Sequence, residues 1–382
     1  MDKNKFEGRM VRKQKRRQRE LILWLCIGIA VLTIFGLALA VIFHTPNVTN
    51  VPPFPTGEVS TSTGETSGED VGTVVDPYER KEGFYTFLVA GMDAVSSNTD
   101  VLMLASLNTN TNEIHIVQIP RDTYIKGKTL GYGSLTRVNA IFSAEYNYQL
   151  KQGISNKTAR TLAMQSLQKY LSEALCINID EYVLINTSGF RSVIDAVGGI
   201  YYDVPCDMFY EDPEQDLYID LKEGYQHLDG AQCEQLIRYR SGYTTGDIER
   251  VELRADFMIE VFKQVKNNIS LDSMLDLIRD KELMQKVSTS MSLMDIFSYV
   301  RMVYKLDDDS VSVRKLSGEV LQNPHTGAWI YYCLNKKAAL ADINECLNVY
   351  KSDIDIAIFD KKGLFSGTEN GNDDYIYEYY HS

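Results

Sequence analysis

Residues 21–43 read LILWLCIGIAVLTIFGLALAVIF, a run with no charge and a single hydroxyl. At about 1.5 Å per residue such a helix exceeds the roughly 30 Å hydrocarbon core of a bilayer. It is apolar all round, so it has no polar face to leave in water as an ordinary core helix would. The block RKQKRRQR at residues 12–19 precedes it and places the amino terminus on the cytoplasmic side. A cleaved signal peptide is the rival, suggested by Ala38-Leu39-Ala40, but the apolar run continues through Phe43. The expectation is an uncleaved, single-pass membrane anchor, with the amino terminus cytoplasmic and everything after residue 43 extracellular.

That anchor divides the rest of the chain. Residues 1–20 form a basic cytoplasmic tail with nine Lys/Arg against three acids. Residues 44–82 are rich in Pro, Ser, Thr and Gly, with too little apolar surface to offset ordering entropy, and read as a disordered linker. Residues 83–352 carry the strand and helix patterns of one extracellular domain, and 353–382 read as an acidic, Tyr-rich tail. The whole chain has a formal net charge of −13, so beyond its basic tail it is strongly acidic. This excludes nucleic acid as the main partner, since phosphate-tracking surfaces are basic overall. The cysteines form no CxxC or Cys/His zinc pattern. Five of them follow the anchor, an odd number that leaves at least one unpaired within the chain.

Within the domain, Tyr85–Ala90 and Val101–Leu107 read as buried strands, and Glu113–Ile119 as a third with a more exposed face. Helices are expected at Lys157–Leu175, Phe190–Val197, Asp247–Asn268, Ser270–Val287 and Ser292–Lys305, and near residues 337–349. Strands are expected at Tyr182–Ile185, Ile200–Val204 and Ser310–Leu316.

The densest chemistry lies in Arg238–Arg254, RYRSGYTTGDIERVELR. Arg238, Arg240, Arg250 and Arg254 stand out against the acidic background, and the guanidinium fork matches phosphate oxygens. Arg238 and Arg240 can share a face only on an extended segment, so one is expected there. Asp247 is a good helix cap, and Arg250 and Arg254 follow it at i+3 and i+7 on one stripe. A helix amino terminus beside arginines suits a pyrophosphate. Asp93 and Asp100 bracket a polar loop between the first two strands, and one or two carboxylates with substrate phosphates are the usual Mg²⁺ donor set. Arg121 and Asp122 close the third strand; taken alone, they read equally as a surface ion pair or as a catalytic contact. No Ser/His/Asp or Cys/His nucleophile pattern and no phosphate-binding GxxxxGK[ST] occurs.

Seven ordered blocks then resemble the LytR-CpsA-Psr family, also called the cell-envelope-related transcriptional attenuator domain. They are FLVAGMD, TDVLMLASL, IPRDTY, RVNAIF, GFRSVIDAVGGIYYDVP, LKEGYQHLDGAQCEQLIRYR and GDIER, covering most of Phe84–Val265. The resemblance implies an α/β fold, an α-β-α sandwich with a central mixed sheet and an apolar lipid pocket. It also implies transfer of an anionic glycopolymer, such as a teichoic acid or capsule, from a polyprenyl-pyrophosphate carrier to peptidoglycan. By position, Asp93 and Asp100 resemble the Mg²⁺-associated acids. Arg121, Arg238, Arg240 and Arg250 resemble the pyrophosphate arginines and Asp247 the acid that orients them; Asp122 is the candidate base, and Arg254, by its place on the helix stripe alone, is a further candidate pyrophosphate contact. Two positions depart from the family pattern: Asn98 stands where an arginine is usual, and Leu253-Arg254 where Arg-Gln is usual. They leave open a polyprenyl-phosphate-binding envelope or regulatory protein without efficient transfer. A lipid pyrophosphatase also stays open, because it differs only in using water as the acceptor.

Overall fold

A computed structural model describes residues 44–46, 48, 78–92, 98–125, 135–212, 217–239, 247–322 and 329–359, with the side chains of 247–252, 322 and 329 left aside. The expected basic tail, the membrane span, most of the linker and residues 360–382 lie outside the described residues. Among those described, no helix is long and apolar enough to cross a membrane.

In chain order, β1 (Phe84–Met92), β2 (Thr99–Asn108) and β3 (Glu113–Gln118) form an antiparallel meander. Helices α1 (Ala140–Lys151) and α2 (Asn156–Leu175) follow, and then β4 (Glu181–Asn186), which pairs parallel to β1. The next elements are α3 (Thr187–Ala196), β5 (Ile200–Val204), β6 (Met208–Asp212), β7 (Leu217–Leu221), β8 (Gly224–Leu228), α4 (Gly230–Arg238) and α5 (Asp247–Asn268). After them come α6 (Leu271–Arg279), α7 (Lys281–Gln285), β9 (Val287–Thr289), α8 (Leu293–Val303) and β10 (Val311–Lys315). The antiparallel pair β11 (Gly318–Gln322) and β12 (Trp329–Leu334) precedes α9 (Lys336–Cys346). The central sheet has the order β10-β3-β2-β1-β4-β9 and is mixed, as expected.

Chain contacts separate two units: residues 1–47 with 292–299, and residues 48–291 with 300–382. In the first, His44 Nε2 meets Asp295 Oδ1 at 2.8 Å, and Ser298 Oγ donates to the His44 carbonyl at 2.9 Å. All that follows concerns the second.

The period of two along β1 and β2 explains the layers. Leu88, Ala90, Leu102 and Leu104 point to one face, where they bury against Phe142, Leu167, Leu171 and Ile343 from α1, α2 and α9. Val89, Gly91, Val101 and Met103 point to the other, where they line a cavity. A second core joins Ile200, Met208, Ile219 and Leu228 of β5–β8 to Leu236 of α4 and Leu253 and Phe257 of α5.

Two expectations change. The helix expected over Ser270–Val287 breaks at Asp280. Its side chain accepts from Glu282 N and Leu283 N at 2.8 and 3.2 Å and so starts α7, and Val287–Thr289 becomes a strand beside β4. Met208–Asp212, Leu217–Leu221 and Gly224–Leu228, in which no strands were expected, are strands: β6 pairs with β7, and β8 with β5.

Among the described residues Cys176, Cys233, Cys333 and Cys346 are buried, and Cys206 is not. Burial, helped by Asp229 and Asp195, pushes the Cys233 thiol up to about 12. At pH 8 only about 10⁻⁴ of such a thiol is thiolate, the reactive form. Alkylation of the native protein, read by mass spectrometry, is therefore expected to modify Cys206 well before the other four.

Candidate functional site

The site forms where β2 begins and β3 ends. Pro120 closes β3, and its carbonyl accepts from Thr123 N and Oγ1 at 2.9 and 2.6 Å, which turns the chain and projects Arg121 and Asp122. Backbone bonds then stitch the turn to β12: Tyr332 N donates to the Asp122 carbonyl at 3.0 Å and Tyr124 N to the Tyr332 carbonyl at 2.9 Å.

Arg121 Nη1 donates to Asp100 Oδ1 at 3.0 Å, and its Nε lies 3.4 Å from Asp122 Oδ2. Burial works against the charge on Arg121, but Asp100 and Asp122 outweigh it and push the guanidinium pKa above its ordinary value. Asp122 Oδ1 also meets Arg137 Nε at 3.2 Å. Arg137 in turn donates to the Ile330 carbonyl at 3.1 Å and lies 5.2 Å from the Tyr331 ring centroid. Asp100, Arg121, Asp122 and Arg137 thus form one chain of alternating charge.

Two cavities share Asp100, Arg121 and Arg254 in their walls. The first, about 370 Å³, has an apolar lining that includes Val89, Ile185, Phe190, Phe257, Met258 and Val261. The second, about 640 Å³, is more polar and includes Asp122, Arg137, Lys315, Glu319 and Tyr331.

Arg238 lines the first cavity but does not lie on an extended segment as expected; it is the last residue of α4, and Tyr239 is the cap that follows it. Glu234, one turn earlier and 2 % exposed, explains this. Its carboxylate accepts from Arg238 Nη1 at 2.9 Å across i,i+4 and pairs with Arg191 Nε of α3. The approach of α3 and α4 depends on Gly230, where a Cβ would strike the Arg191 backbone. Arg254 donates through Nε and Nη2 to the Ile237 carbonyl at 3.1 and 2.8 Å, so it ties the end of α4 to α5 while lining both cavities.

Asp93 and Arg240 lie outside the described residues; Asp247 and Arg250 start α5, but their side chains are not described. Among the described residues no cluster of three or more His, Cys, Asp or Glu could hold a metal. Asp100 supplies one hard oxygen donor at the wall shared by both cavities, which suits a Mg²⁺ completed by substrate oxygens. Leu253 is 7 % exposed and belongs to the second core, so its departure from the family pattern serves packing.

Arg137, Glu234 and Arg191 were not singled out in the sequence. Glu234 had one local signal, an acid four residues before Arg238. The partners of Arg137 are brought to it only by the fold.

The LytR_cpsA_psr family model matches residues 56–347. The chain is 25 % identical over 205 residues to TagV of Bacillus subtilis, a polyisoprenyl-teichoic acid–peptidoglycan teichoic acid transferase; the alignment covers 52 % of this chain and 48 % of TagV. It is 25 % identical over 268 residues to TagU of Bacillus cereus, a protein of the same description, covering 69 % of this chain and 78 % of TagU. The chain therefore spans about half the length of relatives such as TagV. The crystal structure of protein gbs0355 from Streptococcus agalactiae shares the fold, with a TM-score of 0.55 and 20 % identity over 78 % of this chain and 96 % of that one.

Proposed function

The chain belongs to the LytR_cpsA_psr family, and on that premise we propose that it is a membrane-anchored phosphotransferase that moves an anionic glycopolymer from a polyprenyl-pyrophosphate carrier to peptidoglycan. The observation that carries the reading is an apolar cavity of about 370 Å³ with Arg121, Arg238 and Arg254 in its wall. An isoprenoid end fills the apolar part, and the guanidinium groups meet the pyrophosphate. The descriptions of TagV and TagU as teichoic acid transferases support the same class of reaction.

Phosphoryl transfer needs positioning and charge neutralisation more than covalent chemistry. A sugar hydroxyl of the acceptor attacks the phosphorus nearest the polymer. The new bond joins that oxygen to phosphorus, and the bond between the two phosphates breaks. Polyprenyl phosphate leaves, and the hydroxyl proton passes to Asp122, which lines the second, more polar cavity. Arg121 stands between the cavities, and Asp100 and Asp122 hold its guanidinium in place. Asp100, with Asp93, would hold Mg²⁺, which when bound neutralises charge on the phosphate oxygens. Residues 21–43 keep the site at the outer membrane surface, where such a lipid is presented.

The test is the purified full-length chain in detergent with Mg²⁺, a polyprenyl-pyrophosphate glycan and peptidoglycan strands. Polyprenyl phosphate release matched by glycan on the strands is expected. Retained lipid without release contradicts transfer, and release of polyprenyl phosphate with free glycan phosphate identifies a hydrolase. Glu234→Gln should weaken the hold on Arg238 and raise the KM for lipid several-fold, with a smaller change in kcat. Equal KM values would contradict the positioning role.

A further inference from the structure

The ribbon built from β5–β8 carries an aromatic face that the proposed transfer site does not use. Its two halves are the antiparallel pairs β5–β8 and β6–β7, which follow one another along the same two stretches of chain. Pairing runs from Ile200↔Leu228 to Val204↔Gly224, then resumes at Met208↔Leu221 and reaches Asp212↔Leu217. Three residues on one side, 205–207, oppose two on the other, 222–223, so the join is a bulge. Asp207 holds it: Oδ1 accepts from Glu223 N at 2.9 Å and Oδ2 from Lys222 Nζ at 3.3 Å. These bonds pull the Asp207 carboxyl below its ordinary range.

One face of the ribbon packs into the second core through Ile200, Val204, Met208, Ile219, Leu221 and Leu228. On the other face, each cross-strand pair joins an aromatic ring to a polar side chain. The pairs are Tyr201↔His227, Asp203↔Tyr225, Phe209↔Asp220 and Glu211↔Tyr218. Three of the four match an aromatic with a carboxylate. The rings are open to solvent: Tyr225 is 72 % exposed, Phe209 65 %, Tyr218 54 % and Tyr201 49 %. Tyr201 and Tyr225 stack with centroids 5.9 Å apart and planes 19° from parallel, and the His227 ring meets Tyr201 edge-on at 4.8 Å.

We infer that this face is a docking platform for an extended, uncharged polysaccharide strand of hexose or N-acetylhexosamine rings. A pyranose presents a face of polarised C–H bonds that suits the negative face of an aromatic ring. Its equatorial hydroxyl and amide N–H groups are donors, and a carboxylate beside each ring accepts them. The charge of this face disfavours anionic occupants. Asp203, Glu211 and Asp220 repel anionic lipid headgroups and phosphate-rich polymers. They equally repel a second copy of a chain whose net charge is −13. From Tyr201 to Glu211 the face extends roughly 33 Å at about 3.3 Å per residue, which fits a polymer rather than a single sugar. The inference does not depend on what the arginine site transfers.

The test titrates the full-length chain in detergent with chitobiose and chitohexaose, neutral N-acetylglucosamine oligomers, by calorimetry at low and high salt. Chitohexaose should bind about tenfold or more tighter than chitobiose at either salt, since the longer oligomer covers at least two more rings. The double variant Phe209→Thr/Tyr225→Thr keeps β-branched residues in the strands and should weaken chitohexaose about tenfold. Asp203→Asn/Asp220→Asn keeps the rings and removes two of the three charged acceptors, and should weaken it several-fold. Tyr148→Thr, on α1 with Tyr148 50 % exposed, should change nothing, and release of polyprenyl phosphate to a short soluble acceptor should persist in both double variants. Equal affinity for the two oligomers, no binding at millimolar oligomer, or unaltered affinity in both double variants would overturn the inference. So would binding to phosphatidylglycerol vesicles, or self-association, lost on removing the rings.

Discussion

Arg121→Ala is expected to lower glycopolymer transfer about 10²–10³-fold while leaving the fold intact. The magnitude is that of removing one preorganised donor from a charge-stabilising site. Arg121 lines both cavities, so it is the side chain best placed to meet a phosphate that passes from a lipid leaving group to an acceptor. Asp100 and Asp122 hold its fork before substrate arrives, and that removes a reorganisation cost from the reaction. Arg121→Lys keeps the charge but loses the planar fork, and should recover only part of the rate. Single-turnover release of polyprenyl phosphate measures both. A melting temperature within a few degrees of wild type would separate the effect from unfolding, because the Arg121 side chain is 30 % exposed and its ion pairs are partly solvated.

Asp180→Ala is expected to destabilise the domain by about 3–5 kcal/mol, the cost of breaking a buried ion pair from one side. Arg80 and Asp180 face each other with side chains 8 % and 4 % exposed. Arg80 Nη1 and Nη2 donate to the two carboxylate oxygens at 2.9 and 2.6 Å. Asp180 also accepts from Thr86 N and Oγ1 at 2.8 and 3.0 Å, so it joins the start of β1 to the segment before β4. Removing the carboxylate strands a guanidinium and a backbone N–H away from water. Thermal unfolding should show a Tm lower by roughly 10 °C or more. Arg80→Met/Asp180→Leu should restore much of the loss, since no uncompensated charge remains. A double variant as unstable as Asp180→Ala would mean that shape, not charge, sets the cost.

The two strands at the middle of the central sheet were legible because Phe84–Met92 and Thr99–Asn108 are short apolar runs bounded by turn residues, whereas its edge strand β9 was hidden in an expected helix. The ribbon over residues 200–228 was not legible beyond Ile200–Val204. Its alternation is interrupted by Pro205 and Pro213 and shifted by one residue at the bulge, so no window of even period spans it. The arginine-rich stretch was identified, yet Arg238 was assigned to extended backbone on the supposition that it shares a face with Arg240. The acid that holds it in the last helical turn, Glu234, shows in the sequence only as an acid four residues before Arg238. Only the packing of α3 on α4 buries that carboxylate and brings Arg191, forty-three residues earlier in sequence, to it. Arg137 stands in the sequence only as the first residue of the RVNAIF block, since Asp122 and Tyr331 reach it through the turn after β3 and the β11–β12 pair. Local periodicity reports elements; partners separated by tens or hundreds of residues it does not report.

The central claim, that the apolar cavity beside Arg121 receives the isoprenoid end of a lipid pyrophosphate, is tested most directly by native mass spectrometry of the full-length chain with undecaprenyl pyrophosphate and with geranyl pyrophosphate. Val261 lines that cavity from α5, so Val261→Trp fills it without touching the arginines. The account predicts one retained undecaprenyl pyrophosphate per chain in the wild type, loss of that lipid in Val261→Trp with geranyl pyrophosphate still bound, and loss of both in Arg121→Ala/Arg238→Ala. Retention of the long lipid by Val261→Trp at the wild-type level would contradict it.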